Sequence, residues 1–244
     1  MQGTFKLFNF RGIQVYLHFS WFIVAAYQLT QRLHNYASPA FAVYEYLALF
    51  GIVLLHEFGH ALACRQTGGS ANQIVLWPLG GIAFVQPPRR PGAVLWSIAA
   101  GPLVNVALIP VFEVVWRMAN QGGWSDVAPD TYQLVRMIRL INYSLLIFNM
   151  LPIYPLDGGQ ILQALLWFPL GEIRSLQIAS VIGIIGAIAL AGLAFLLRMD
   201  MLWTAILAFF LISRAVAGWQ YAKAMIAEEK ERERPPEVPA NPQF

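Results

Sequence analysis

The chain has 244 residues, of which 58% are hydrophobic and 12% are charged, and its mean hydropathy is +0.55. Soluble globular proteins carry roughly 25% charged residues, so this composition excludes a soluble domain and indicates a polytopic membrane protein. The formal net charge of +3 comes from basic residues scattered along loops, so we expect no nucleic-acid partner. A single cysteine, Cys64, excludes an intrachain disulfide.

Six apolar runs follow one another along the chain, each long enough to cross the roughly 30 Å apolar core of a bilayer as a helix. They predict an all-α polytopic membrane protein with about six transmembrane helices in a single domain, residues 1–222. Residues 223–244 are charged and then proline-rich, which predicts a cytosolic tail that begins as a fraying helix and ends in a disordered segment. The predicted spans are residues 13–29, 40–64, 93–116, 134–156, 176–197 and 201–222.

An even number of spans places both ends of the chain on one side of the membrane. Lysine and arginine residues near span ends favour the cytoplasmic side. More of them flank the predicted spans on the side of the termini, so we expect cytoplasmic termini and a location in the plasma membrane. That side holds Lys6, Arg11, Arg65, Arg89, Arg90, Arg174 and Lys223, and the other side holds Arg32, Arg117, Arg136, Arg139 and Arg198.

The second predicted span contains the sequence HEFGH at residues 56–60. Residues four apart lie on one face of a helix, so His56 and His60 can bind a single ion. Glu57 lies about 100° round the helix from His56, within reach of a water held by that ion. This pattern is typical of zinc sites in which the glutamate is the general base. Cys64, four residues after His60, either adds a thiolate ligand or packs at the helix end.

Residues 68–88 are too short and too interrupted to span the membrane. Two β-prone stretches, residues 74–77 and 82–85, flank a turn formed by Pro78, Gly80 and Gly81. We interpret this segment as a hairpin that dips towards the membrane, with a plain loop as the alternative. The free edge of such a hairpin beside a zinc site could pair with an extended peptide.

Polar residues in the third and fourth predicted spans supply the remaining candidates. Asn105 needs a polar partner at membrane depth, either on a neighbouring helix or at the site. After Asn149, two prolines and two glycines interrupt the helix, and this segment contains one carboxylate, Asp157. Zinc bound by two histidines needs a third protein ligand, and Asp157 is the acid besides Glu57 that is placed at a matching depth. Alternatively, Asp157 caps the short helix predicted after it.

Three motifs in this order carry a family resemblance: HEFGH in the second span, GPLVN at residues 101–105, and NMLPIYPLDGG at residues 149–159. With them the chain resembles the site-2 protease (M50-type) family of intramembrane zinc metalloproteases over roughly residues 12–221. The resemblance implies that His56, His60 and Asp157 bind zinc and that Glu57 activates water.

The same resemblance implies further site residues with less specific roles. Asn149 and Asn105 would steady the oxyanion or the substrate, and Gly80 and Gly81 fall where the family has its membrane-dipping loop. No PDZ-like insert fits between the predicted spans, and no pair of CBS modules follows the sixth. We therefore expect a minimal catalytic core.

The implied activity is hydrolysis, with one zinc ion per chain, of a peptide bond within or next to the transmembrane segment of a single-span membrane protein. Two other classes of function stay open. A catalytically silent relative that acts as a membrane binding protein or chaperone would have lost a ligand or Glu57, and all of them are present. A zinc transporter needs acids on several spans, and the fifth and sixth predicted spans have none in their interiors.

Overall fold

A computed structural model describes residues 3–77, 80–198 and 200–233 of the chain. Within these residues the fold is mostly helical and includes one small sheet. The strands are β1 (Thr4–Phe10), β2 (Ile13–His18), β3 (Ser70–Trp77) and β4 (Gly80–Gln86). The helices are α1 (Ser20–Arg32), α2 (Pro39–Gln66), α3 (Pro91–Gln121), α4 (Trp124–Val127), α5 (Pro129–Asn149), α6 (Asp157–Leu170), α7 (Glu172–Leu196) and α8 (Met201–Glu233).

The first predicted span is wrong over its N-terminal part, because residues 13–18 form strand β2 rather than helix. Apolar Ile13 and Val15 alternate with polar neighbours and are fully buried, which is the period of a half-buried strand. Between β1 and β2 the chain turns through Arg11 and Gly12, both with positive φ, as in a two-residue hairpin turn. The following helix α1 has 13 residues, and its length of about 20 Å is too short to cross a bilayer.

The four strands form one sheet in the order β1-β2-β3-β4, in which only β2 and β3 run parallel. The predicted hairpin over residues 74–85 is therefore confirmed, as the β3–β4 half of a larger sheet. Gly80 and Gly81 open β4, whereas Pro78 of the predicted turn lies outside the described residues. The sheet also corrects the all-α prediction, since β2 lies in the first predicted span and β1 lies before it, where no strand was predicted.

Within the described residues four helices are long and apolar enough to cross a membrane: α2, α3, α7 and α8. They correspond to the predicted second, third, fifth and sixth spans. Helix α5 takes the place of the predicted fourth span but ends at Asn149 and carries Arg136 and Arg139. The predicted count of six spans is therefore not confirmed.

The C-terminal tail begins as a helix, where the sequence predicts a fraying one. Helix α8 continues to Glu233, so residues 223–233 are helical. The rest of that tail, residues 234–244, lies outside the described residues.

One arginine joins the sheet to the helix that carries the HEFGH motif. Arg65, in the last turn of α2, donates from Nε to the carbonyl oxygen of Ala71 at 2.8 Å and from Nη2 to that of Gly12 at 3.1 Å. These bonds attach both β3 and the β1–β2 turn to the end of α2. The sheet is thereby held at a fixed position along α2.

Candidate metal centre

Helix α2 places three ionisable side chains of the motif in the protein interior. His56, Glu57 and His60 are 3%, 5% and 6% exposed. The Nε2 atoms of His56 and His60 lie 3.1 Å apart, because the two residues are one helical turn apart on the same face. The predicted convergence of the two imidazoles is thus present.

Asp157 completes a group of three potential ligands. It is the first residue of α6, and its Oδ2 lies 3.0 Å from His56 Nε2 while its Oδ1 lies 3.4 Å from His60 Nε2. In a tetrahedral zinc site with bonds of about 2.0 Å, neighbouring donor atoms are about 3.3 Å apart. The three donor atoms are therefore spaced as ligands of one ion, and they form the one such group found among the described residues.

The hydrogen bonding of Asp157 favours a ligand over a helix cap. Its Oδ2 is buried and accepts no hydrogen bond, although His56 is close. Helix α6 has Leu156 at its N-cap position and no side-chain cap. A buried carboxylate oxygen without a donor is costly unless a cation or proton compensates it, so the chemistry of this donor set fits zinc.

The outer nitrogen of each histidine faces an oxygen of α3. His60 Nδ1 lies 2.9 Å from the main-chain oxygen of Ser97, and His56 Nδ1 lies 2.6 Å from Asn105 Oδ1. A main-chain carbonyl can only accept, so Nδ1 of His60 carries the proton and its Nε2 keeps a lone pair. Such partners orient metal-binding histidines and fix their tautomer.

Gly101 of α3 makes room for both imidazoles. A Cβ built at this position would overlap the His60 ring and lie 2.9 Å from His56 Nε2. Gly101 is itself buried. Because any side chain here would enter the space beside the two Nε2 atoms, the site requires glycine at residue 101.

Glu57 is attached to the free edge of the sheet. Its Oε2 accepts a hydrogen bond of 2.9 Å from the main-chain N–H of Ala83 in β4. Strand β4 is the last strand of the sheet on this side, so the outer edge of β4 and the carboxylate of Glu57 meet beside the donor group. As predicted, the hairpin therefore lies beside the HEFGH motif.

One buried polar residue of this region was not singled out by the sequence. Asn142 of α5 is 1% exposed, and it pairs with Asn105, which is 0% exposed. A second asparagine inside an apolar run was the available signal. What the sequence did not indicate was its partner, because that depends on how α5 packs against α3.

The other predicted residues lie in varied places. Asn149 is the last residue of α5 and is half-buried, and Gly80 and Gly81 pair with Trp77 and Leu76 of β3. Cys64 is buried with its Sγ 3.4 Å from the carbonyl oxygen of Ser70 and outside the donor group, which favours packing over ligation.

Sequence models of one peptidase family match most of the chain. The model described as Peptidase M50B-like matches residues 20–122, and that described as Peptidase family M50 matches residues 119–193. Zinc metalloprotease MJ0392 of Methanocaldococcus jannaschii is 31% identical over 183 residues, which is 75% of this chain and 51% of that protein. Putative zinc metalloprotease sll0528 of Synechocystis is 26% identical over 247 residues, 95% of this chain and 63% of that protein.

A solved structure shares the fold. The site-2 protease from Methanocaldococcus jannaschii superimposes with a TM-score of 0.61 at 24% identity, covering 98% of this chain and 100% of the solved chain. This chain spans about half to two thirds of the length of the two curated relatives described above.

The motifs, the donor group and these matches agree on one class of protein. The chain belongs to the M50-type family of zinc metalloproteases, which includes the site-2 proteases. The predicted resemblance is thus confirmed. The predicted cofactor is confirmed as well, since the relatives are named zinc metalloproteases and His56, His60 and Asp157 can hold one ion.

Proposed function

We propose that this protein is an intramembrane zinc metalloendopeptidase. It hydrolyses a peptide bond within or next to the transmembrane segment of a single-span membrane protein. The observation that carries the proposal is the meeting of a donor group for one metal ion, a glutamate and a free strand edge in one buried place. Each of the three has a separate task in peptide hydrolysis.

His56, His60 and Asp157 would hold the zinc ion, which when bound lowers the pKa of a coordinated water and polarises the scissile carbonyl. Glu57 accepts a proton from the attacking water and donates it to the leaving amine. Its Oε2 is held by the N–H of Ala83, which leaves Oε1 for the proton. The same bond keeps the carboxylate from turning away from the site.

The outer edge of β4 is the proposed docking place for the substrate. A peptide in a helix hides its carbonyls in hydrogen bonds, so the substrate segment must become extended before it is cut. The N–H of Ala83 points away from β3, and by the alternation of an antiparallel strand the N–H of Gly81 points the same way. The N–H of Ala83 is already bound to Glu57, so we propose that an extended substrate pairs with the other outward groups of this edge, such as the N–H of Gly81, as in other cases of strand addition.

The two asparagines implied by the family resemblance have different proposed roles. We keep Asn149 as a residue that steadies the substrate or the oxyanion. Asn105 has both ends of its amide engaged, with Oδ1 on His56 and Nδ2 on Asn142 Oδ1 at 2.9 Å. It therefore acts on the site through His56 rather than through a contact with the substrate.

The four span-capable helices support a multi-pass membrane protein. The proposed location is the plasma membrane, with both termini in the cytoplasm. The excess of lysine and arginine residues near the span ends on the side of the termini supports this orientation. A cysteine-accessibility assay with residues introduced near each end of the chain in intact cells tests it.

The decisive experiment is cleavage of a panel of single-span model peptides by purified protein, comparing the unaltered chain with Glu57→Gln. We expect cleavage by the former to be stopped by a zinc chelator. We expect Glu57→Gln to retain zinc and lose at least about a thousandfold in rate, because the base is gone. Glu172→Gln, a partly exposed glutamate at the start of α7, is the matched control and should cleave normally.

Other outcomes would contradict parts of the proposal. Cleavage by Glu57→Gln at the normal rate removes Glu57 as the base. Stoichiometric zinc without cleavage of any peptide supports the silent binding relative, and zinc uptake into proteoliposomes supports the transporter.

A further inference from the structure

Asn142 lies in the interior of α5, away from the proposed ligands. Its Oδ1 accepts a 2.9 Å hydrogen bond from Asn105 Nδ2, and its Nδ2 donates at 3.0 Å to the main-chain oxygen of Asn105. Both side chains are shielded from solvent. Two buried asparagines on separate helices are thus joined by two hydrogen bonds.

The main-chain oxygen of Asn105 fixes the direction of both amides. Because this oxygen can only accept, the NH2 group of Asn142 must face it, and Oδ1 of Asn142 must face the Asn105 side chain. The NH2 group of Asn105 is then directed to Asn142, and its Oδ1 is directed to His56 Nδ1 at 2.6 Å. An oxygen there requires a proton on Nδ1 of His56, which leaves the lone pair on Nε2.

The two histidines differ in how this orientation is secured. Nδ1 of His60 faces the main-chain oxygen of Ser97, which cannot exchange places with a donor. Nδ1 of His56 faces a side-chain amide, which would offer NH2 instead of oxygen if it turned over. Only the His56 side therefore needs a further residue to fix its partner.

We propose that Asn142 is a positioning residue for the metal centre, which holds the Asn105 amide in the direction that keeps His56 in its metal-binding tautomer. This inference rests on the proposed zinc site and adds to it a residue on α5, a helix that carries none of the proposed ligands. Asn142 touches neither metal nor substrate, and its effect passes through Asn105. Through Asn142, Asn105 and His56, helix α5 thus influences the zinc affinity of the site.

The first test is zinc affinity, measured by competition with a chelator. Asn142→Leu should bind zinc roughly tenfold more weakly, the lower end of the effects seen for partners of metal-binding histidines. Asn120→Leu, an asparagine on α3 near the surface, is the matched control and should bind zinc normally. In an Asn105→Ala background, Asn142→Leu should cause no further loss, since the residue through which it acts is gone.

The second test reads the tautomer of His56 in zinc-free protein. The chain has four histidines, so 15N spectra of histidine-labelled protein can be assigned by substitution. We expect His56 to carry its proton on Nδ1 in the unaltered chain and to become a mixture of tautomers in Asn142→Leu. Asn142→Thr, which cannot form both hydrogen bonds, serves if the leucine variant does not fold.

Two results would overturn the inference. One is an unchanged tautomer of His56 in both Asn142 variants, and the other is a loss of zinc affinity that persists undiminished in the Asn105→Ala background, as for a residue that only packs. Failure of the proposed function has a different signature. If the unaltered chain binds no zinc, the tautomer measurement still decides the role of Asn142.

Discussion

The two sides of the metal centre are held in different ways. The histidine side consists of α2 and α3, where His56 and His60 each have a specific polar partner at Nδ1. The aspartate side consists of the loop of residues 150–156 and the start of α6, where Asp157 Oδ2 accepts no hydrogen bond. One side is fixed by hydrogen bonds, so the position of the other needs another cause.

Close packing positions the aspartate side, together with local hydrogen bonds such as that from Gln160 Nε2 to the carbonyl oxygen of Pro155 at 2.8 Å. The loop before Asp157 packs into a groove between α7 and α8, the pair of helices with extensive mutual contact. A Cβ at Gly183 of α7 would lie 2.6 Å from the carbonyl oxygen of Tyr154, and one at Gly218 of α8 would lie 2.8 Å from the Tyr154 ring. The comparison indicates that the histidine side depends on the chemistry of its partners as well as on space, whereas the aspartate side depends mainly on how its loop fits between α7 and α8.

The largest effect is expected when the aspartate side loses its ligand. Asp157→Asn keeps the size of the side chain and removes its charge, and Asp157→Ala removes the ligand. Both should weaken zinc binding by at least about a hundredfold, beyond the range for residues that only support a ligand. Zinc content after dialysis against a weak chelator measures this loss, and retained stoichiometric zinc in Asp157→Ala would exclude Asp157 as a ligand.

The histidine side also contains positions that depend on volume, and Gly101 is the one beside the imidazoles. Gly101→Ala places a methyl group against the His60 ring, so the imidazoles must move and zinc binding should weaken roughly tenfold or more. Gly51→Ala is the control on α2, where a Cβ meets nothing within 4 Å. Chelator competition compares the two variants. Equal zinc affinities would mean that the rings have more room than their positions indicate.

The two proposed histidine ligands could be predicted because their geometry is local: their spacing on a helix determines that they share a face. Asp157 is distant in sequence, and it was predicted from its depth in the membrane and from the family resemblance. The β3–β4 hairpin was predicted from β-prone residues and turn glycines. The histidine pair and the hairpin depend on neighbours within a few residues.

The features that were missed depend on distant parts of the chain. Residues 13–18 alternate in polarity like a strand, yet they continue into an apolar helix, and only pairing with β3 distinguishes the two structures. The pairing of Asn142 with Asn105, 37 residues away in sequence, depends on the packing of α5 against α3. No local pattern fixes such a register.

The smallest effect is expected in the groove of the aspartate side, where a substitution tests how much the close packing of the loop contributes. Gly183→Ala forces the loop at Tyr154 to shift, and overpacking of this kind typically costs about 1–3 kcal/mol. Zinc affinity should fall only a few-fold, because the ligand and the histidine partners remain. Thermal unfolding in detergent, together with chelator competition, measures both quantities.

The control for this variant is on the same helix. A Cβ at Gly192 of α7 meets nothing within 4 Å, and replacing a glycine inside a helix by alanine favours the helix by roughly 0.5–1 kcal/mol. Gly192→Ala should therefore leave stability unchanged or slightly raised while Gly183→Ala lowers it. If both lower it equally, helix α7 itself needs its glycines and the groove is not the cause. If Gly183→Ala instead weakens zinc binding as strongly as Gly101→Ala, the fit of the loop matters to zinc binding as much as the space beside the two imidazoles, and the expected order of the two effects is wrong.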